Sequence, residues 1–133
     1  MPVRLVVRGD VADDDLSALH ARAFQRAEAS TPWRQRLEEH SLTWILALAD
    51  ERLVGFVNLA WDGGAHAFLL DTVVDPVEQG KGVGRALVRE AVREAARAGC
   101  EWLHVDFEAE LAAFYVDGCG FRPTAAGVLR LRG

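Results

Sequence analysis

The amino-acid sequence predicts an α+β fold: a mixed, mostly antiparallel central sheet with helices on both faces. Two observations carry this reading. Three apolar runs, at 44–48, 53–61 and 66–74, are separated only by Asp50-Glu51-Arg52 and by a turn at Gly63-Gly64. Such connections suit antiparallel hairpins and are too short for crossovers. The hydrophobic period then becomes helical over 82–98, and a further apolar segment follows at 101–107, which implies one strand–helix–strand crossover.

The individual elements follow in order. Segment 5–8 reads as a first strand, at the end of an alternating N-terminal stretch that begins at Met1. Asp13-Asp14-Asp15 supplies negative charge where a helix N-terminus favours it, and Leu16, Leu19, Ala23 and Ala27 mark that helix's buried stripe. Thr31-Pro32 breaks the pattern, and 33–40 reads as a short second helix carrying Arg34, Arg36, Glu38 and Glu39. The third strand of the meander ends at Asp75-Pro76, because proline has no N–H to donate to a ladder. In the long helix Gly84, Leu87, Val88, Ala91, Val92 and Ala95 share one side, Arg85, Arg89, Arg93 and Arg97 the other, and Gly99 stops it. A strand at 101–107, a short helix at 111–115 and final strands at 121–122 and 128–131 complete the expected order.

Length and composition narrow the class. A chain of 133 residues, half of them hydrophobic and about a quarter charged, suits a single domain over 1–133 with one core. Fifteen Lys and Arg against twenty Asp and Glu give a net charge of -5, and no stretch concentrates basic residues, so nucleic acid is not an expected partner. Cys100 and Cys119 lack the spacing of a zinc ribbon and the density of a disulfide-stapled domain, and are expected as buried free thiols. The N-terminal segment lacks the apolar stretch of a signal peptide and no later run could span a bilayer, so the expected location is cytoplasmic, with no membrane partner.

The segment Gln79-Gly80-Lys81-Gly82-Val83-Gly84 joins the apolar strand to the amphipathic helix. Glycines at alternate positions let the backbone turn tightly and bring several N–H groups toward one point. The helix N-terminus adds its own free donors, and Lys81 and Arg85 add charge, so a pyrophosphate is the expected guest. A P-loop requires Ser or Thr after the lysine, whereas Gly82 follows Lys81. A dinucleotide fingerprint belongs near the start of a parallel domain, whereas this turn follows an antiparallel meander.

The pattern Gln-x-x-Gly-x-Gly, preceded by Val74-Asp75-Pro76 and followed by Ala86-Leu87-Val88, closely resembles the acyl-CoA signature of the GNAT superfamily of N-acetyltransferases. The order of elements from about Leu5 to Arg132 is similar as well, and Phe114-Tyr115 followed by Gly120-Phe121 resembles the family's second landmark. The resemblance implies a GNAT-like fold splayed at the cofactor strand, with acetyl-CoA as acyl donor. It places the pyrophosphate on backbone amides of Gly80, Lys81, Gly82, Val83, Gly84 and Arg85, with Gln79 opening the loop, and the pantetheine arm on Thr72, Val73 and Val74. It further implies Tyr115, the one tyrosine, as the general acid that protonates the departing thiolate. The sequence departs from the family pattern twice: Gly120 lies one position further from Tyr115 than expected, and Glu108 stands where many members carry asparagine.

Amine attack on a thioester needs a neutral amine, an oxyanion donor and a proton for the thiolate, and no metal. The implied acceptor is a primary amine of a small molecule, peptide or protein. Substrate-side candidates are Asp71, in the cofactor strand, and His104 and Asp106, which with Glu108 alternate against Leu103, Val105 and Phe107. A metal site built from His104, Asp106 and Glu108 is disfavoured, because side chains of one strand diverge poorly around an ion. Trp33, Trp44, Trp61 and Trp102 are assigned to the core rather than to a substrate wall. A non-catalytic acyl-CoA-binding module is the alternative function, and either a monomer or a homodimer is compatible with the sequence.

Overall fold

The computed structural model describes residues 2–27 and 29–133; Met1, the first residue of the predicted N-terminal strand stretch, lies outside them. Five strands form one sheet in the order β1 (Arg4–Val7), β2 (Ser41–Ala49), β3 (Arg52–Trp61), β4 (His66–Val74), β5 (Trp102–Val105). The first three pairings are antiparallel and β4–β5 is parallel, joined through the long helix α3 (Val83–Arg97). The expected mixed sheet with a single crossover is therefore present.

Helices α1 (Asp13–Phe24) and α2 (Trp33–His40) pack on one face of the sheet and α3 on the other. The alternation along β2 and β3 divides the core accordingly. Ile45, Ala47, Val54, Val57 and Leu59 meet Val83, Leu87, Val88 and Ala91 of α3. Trp44, Leu46, Phe56 and Val73 meet Leu16 and Leu19 of α1 and Trp33 and Leu37 of α2. Completely burying side chains of this size contributes about 1.5–3 kcal/mol each, so both helical layers are fixed by strand side chains at period two.

Several boundaries differ from expectation. Gln25 takes a left-handed conformation and closes α1, so Ala27 lies beyond the helix and is exposed rather than part of its stripe. Val92 is 43% exposed, at the margin of α3's buried face. The half-buried Cys100 and Cys119 are free thiols, but neither is fully interior. The tail from residue 121 onward forms no strand, contrary to the strands expected at 121–122 and 128–131. Pro123 lacks a ladder donor and a local turn forms from the Ala126 N–H to the Thr124 carbonyl at 3.0 Å. Val128, Leu129 and Leu131 stay exposed, and β5 is left as an edge strand.

The expected short helix at 111–115 is instead a 3₁₀ turn, Ala109–Leu111, followed by a π-helical segment, Ala113–Gly118. A π turn takes in more residues per turn than an α-turn, which accommodates the long spacing from Tyr115 to Gly120. It leaves Tyr115 buried at the core, stacked on Phe107 at 5.1 Å between ring centroids.

Candidate functional site

Strand β4 carries a bulge. Asn58 of β3 lies opposite Leu70 and Phe56 lies opposite Val73, so two residues of β4, Asp71 and Thr72, face one residue of β3. Asp71 absorbs the extra residue with φ +56°, a left-handed conformation uncommon for a residue other than glycine. On its other side β4 pairs with β5 only as far as Leu69–Val105. Beyond that point the strands part, and among the described residues the backbone from Leu70 to Val74 has no strand partner on its β5 side. The bulge and the splay coincide.

The next turn of chain is tied down at both ends. The Asp75 carboxylate, 5% exposed, accepts from the Val77 N–H at 3.2 Å and from Arg22 Nε at 3.1 Å. The Gln79 side-chain amide donates back to the Val74 carbonyl at 3.2 Å, fastening the loop to the end of β4. Gly80 and Gly82 then adopt φ +80° and +86°, and a Cβ at either would meet nothing within 4 Å, so both open onto free space. Among the described residues, no protein acceptor takes the backbone N–H of Gly80, Lys81, Gly82, Val83, Gly84 or Arg85; the first bond of this helix runs from Ala86 N–H to the Gly82 carbonyl. Six free amides at a helix start constitute an anion cradle that a side chain at Gly80 or Gly82 would obstruct.

A cavity of about 470 Å³ opens from this cradle along the splay. Thr72 and Val74 line one wall, Gln79, Gly80, Gly82, Val83, Gly84 and Arg85 the loop end, and Leu111, Phe114 and Tyr115 the far wall. Gly84 differs from its neighbours in being closely packed: its Cβ would lie 3.3 Å from Phe114 Cζ, so a larger side chain would have to displace that ring. Burial raises the Tyr115 phenol above the ordinary tyrosine value; the neighbouring Thr72 side chain works in the opposite direction. The phenol is therefore a neutral O–H at physiological pH.

Most of the residues singled out in the sequence converge here, with exceptions. Val73 turns its side chain into the opposite core. Lys81 is paired with Glu78 at 3.2 Å instead of standing free over the cradle, and Arg52 approaches the same carboxylate at 3.7 Å. Arg85, by contrast, has no carboxylate within ion-pair distance among the described residues. His104 and Asp106 lie elsewhere: they line a separate cavity with Trp102, Phe107 and Pro123, and His104 stacks on Phe68 and meets His66 at 2.8 Å. Both are exposed, which removes the desolvation cost that would call for a partner.

One residue escaped the sequence reading. His20 Nε2 lies 3.5 Å from Asp71 Oδ1, on the face of β4 opposite Tyr115's cavity. The available signal was helical spacing, since His20 is four residues from Leu16 on α1's buried stripe.

A family model for the acetyltransferase (GNAT) family matches residues 11–121. The chain belongs to the GNAT acetyltransferase family. Within it, the chain is 37% identical over 62 residues to a mycothiol acetyltransferase of Nocardia farcinica, covering 47% of this chain and 20% of that protein. It is 32% identical over 85 residues to serotonin N-acetyltransferase 2 of Oryza sativa subsp. japonica, covering 62% of this chain and 42% of that one. The chain thus spans between 20% and 42% of the length of these curated relatives. A GNAT family acetyltransferase from Streptococcus pneumoniae superposes with a TM-score of 0.80 at 23% identity, covering 98% of each chain, which establishes the GNAT fold. Among the described residues, no group of three or more His, Cys, Asp or Glu could hold a metal ion, and no helix is long and apolar enough to cross a membrane.

Proposed function

We propose that this GNAT domain transfers an acetyl group from acetyl-CoA to a primary amine. The observation that carries the reading is the meeting, in one cavity, of the free-amide cradle at 80–85 with the buried Tyr115 phenol across the β4 splay. Acetyl-CoA supplies the activated acetyl thioester. The cradle suits its pyrophosphate, helped by the unpaired Arg85, while Lys81 contributes less because Glu78 neutralises it. The uncovered edge of β4 at Thr72, Val73 and Val74 offers peptide groups to the amide-bearing pantetheine arm.

A backbone N–H at the bulge is the natural donor to the carbonyl oxygen as charge develops there; one such donor is typically worth about 10²–10³ in rate. Tyr115 is suited to protonate the leaving sulfur, because its raised pKa keeps the proton available and Phe107, Phe114 and Phe121 hold the ring. Asp71 is the substrate-side residue best placed to receive the amine, lying next to Thr72 but facing α1. His104 and Asp106 have a smaller claim, since they open onto the separate cavity beside β5.

The test combines binding with turnover. Acetyl-CoA and CoA should raise the melting temperature more than ATP or NAD, and acetyl-CoA with a panel of primary amines should release free thiol. Cofactor binding without thiol release from any amine would reduce the protein to an acyl-CoA-binding module, and stabilisation by ATP or NAD alone would overturn the acyl-CoA reading.

A further inference from the structure

We propose that His20 is a positioning residue for the acceptor amine: from behind β4 its Nε2–H holds the Asp71 carboxylate at the splay, so that the carboxylate receives the amine's proton. The inference rests on the acetyl-transfer reading above and assigns a role to a residue of α1 that the cofactor site does not use.

His20 is 9% exposed, and among the described residues neither ring nitrogen has a hydrogen-bond partner. An aromatic box holds the ring: Trp33 at 4.5 Å, Phe24 at 5.7 Å and Phe56 at 6.1 Å between centroids. A phenylalanine would fill such a box without leaving buried nitrogens unsatisfied, so the imidazole costs stability that packing alone does not explain. Its polar neighbour is Asp71, with Nε2 3.5 Å from Oδ1, a distance that a small inward shift of the carboxylate closes to a hydrogen bond.

The carboxylate bridges inside and outside. The His20 side chain is 11% exposed and that of Asp71 34%, so one oxygen faces the imidazole while the group remains reachable from solvent. The bulge holds Asp71 there at the cost of a left-handed backbone conformation. Among the described residues, no other charged group lies within ion-pair distance of either side chain. Arg22 of α1 and Arg52 of β3 are engaged by Asp75, and the Arg36 guanidinium of α2 lies over the Trp33 ring at 5.1 Å.

Placement on opposite faces of one strand gives the pair its function. Tyr115 and Thr72 line the donor cavity, and His20 and Asp71 lie on the other side of the same two residues of backbone. In the transfer the amine nitrogen forms a bond to the acetyl carbon and the carbon–sulfur bond breaks, its electron pair going to sulfur. Tyr115 gives its O–H proton to that sulfur and regains one from solvent. The proton lost by the amine passes to the Asp71 carboxylate oxygen turned away from His20, while His20 Nε2–H holds the other oxygen, and it leaves from there to solvent with the product, so protons balance.

The test is a double-mutant cycle with an independent spectroscopic readout. His20→Phe keeps the ring packing and removes the unpartnered buried nitrogens, so its melting temperature should equal or exceed the parent's while its acetyl-CoA affinity matches. Its turnover number, with whichever of butylamine, 2-phenylethylamine or glucosamine the parent consumes fastest, should fall roughly 10-fold, with partial recovery in His20→Gln. In an Asp71→Asn background His20→Phe should cost nothing further, because the two act as a unit. Ring ¹⁵N shifts should show the proton of His20 on Nε2 in the parent and a changed pattern in Asp71→Asn. Equal losses from His20→Phe in both backgrounds, no loss in the parent, or ring shifts indifferent to Asp71→Asn would each overturn the proposal. If the parent releases no thiol with any of these amines, the acetyl-transfer reading fails, and the pair's catalytic role with it, whatever the ring shifts show.

Discussion

Asp71 and Thr72 are sequence neighbours that serve opposite faces of the sheet: the Asp71 carboxylate lies 3.5 Å from His20 Nε2 under α1, and Thr72 lines the cavity shared by Tyr115 and the glycine loop. The extra residue of β4 falls at this pair, where β4 parts from β5. Donor and acceptor chemistry can thus approach a single stretch of backbone from two sides.

Acetyl-CoA should stabilise the fold by linkage, by about 2.7 kcal/mol at ~100 times its dissociation constant, and the melting temperature should rise accordingly. Gly82→Val should abolish this shift. Its Cβ meets no protein atom within 4 Å, so the loss would come from strain at φ +86° and from filling the cradle, not from a clash. A parent-sized shift in Gly82→Val would contradict the loop assignment.

Tyr115→Phe preserves the stack on Phe107 at 5.1 Å and should bind acetyl-CoA as the parent does, while turnover falls roughly 10²-fold. Because burial raises the phenol pKa, Tyr115 should cause no alkaline decline in rate below about pH 10. The sign for stability agrees: the folded phenol holds its proton longer than the unfolded one. Its contribution is therefore complete below the unfolded value and is lost as pH rises through the folded one. A rate profile over pH 6–10 and an alkaline unfolding series check both statements.

Cys119 should alkylate slowly. Burial raises its thiol above the ordinary range, outweighing Arg85 and Arg89, whose charges pull it down, so little thiolate forms near pH 8. Iodoacetamide labelling followed by peptide mass analysis should show Cys119 lagging a small free thiol at pH 8 and catching up as the pH is raised.

Asp75→Ala should destabilise the domain by about 2–3 kcal/mol in urea denaturation. The carboxylate is 5% exposed, accepts from the Val77 N–H and pairs with Arg22, so its loss leaves both donors without their acceptor. The arginines are about half exposed and can rehydrate, which keeps the cost below that of a fully interior pair.

Much of this architecture was legible because its signals are local. The period-two strands at 44–48, 53–61 and 66–74 and the period of α3 lie within one continuous stretch, and the glycine loop needs only its own residues. The tail was misread because a strand requires a partner edge, and apolar residues such as Val128 and Leu131 do not reveal whether one is available. The π turn at Ala113–Gly118 was illegible because its hydrogen-bond pattern differs from an α-helix by one position, with no change in composition. His20 was hidden for a different reason: its contact is with a residue 51 positions away, at the bulge of β4.

The measurement that bears most directly on acetyl transfer at this cavity is the stoichiometry of free thiol to acetylated amine, followed together in the parent and in Tyr115→Phe. One acetyl amide per thiol in the parent, with both falling together roughly 10²-fold in Tyr115→Phe at unchanged acetyl-CoA affinity, is the predicted result. Thiol release without acetylated amine, or equal turnover in the two proteins where chemistry limits the rate, would contradict it.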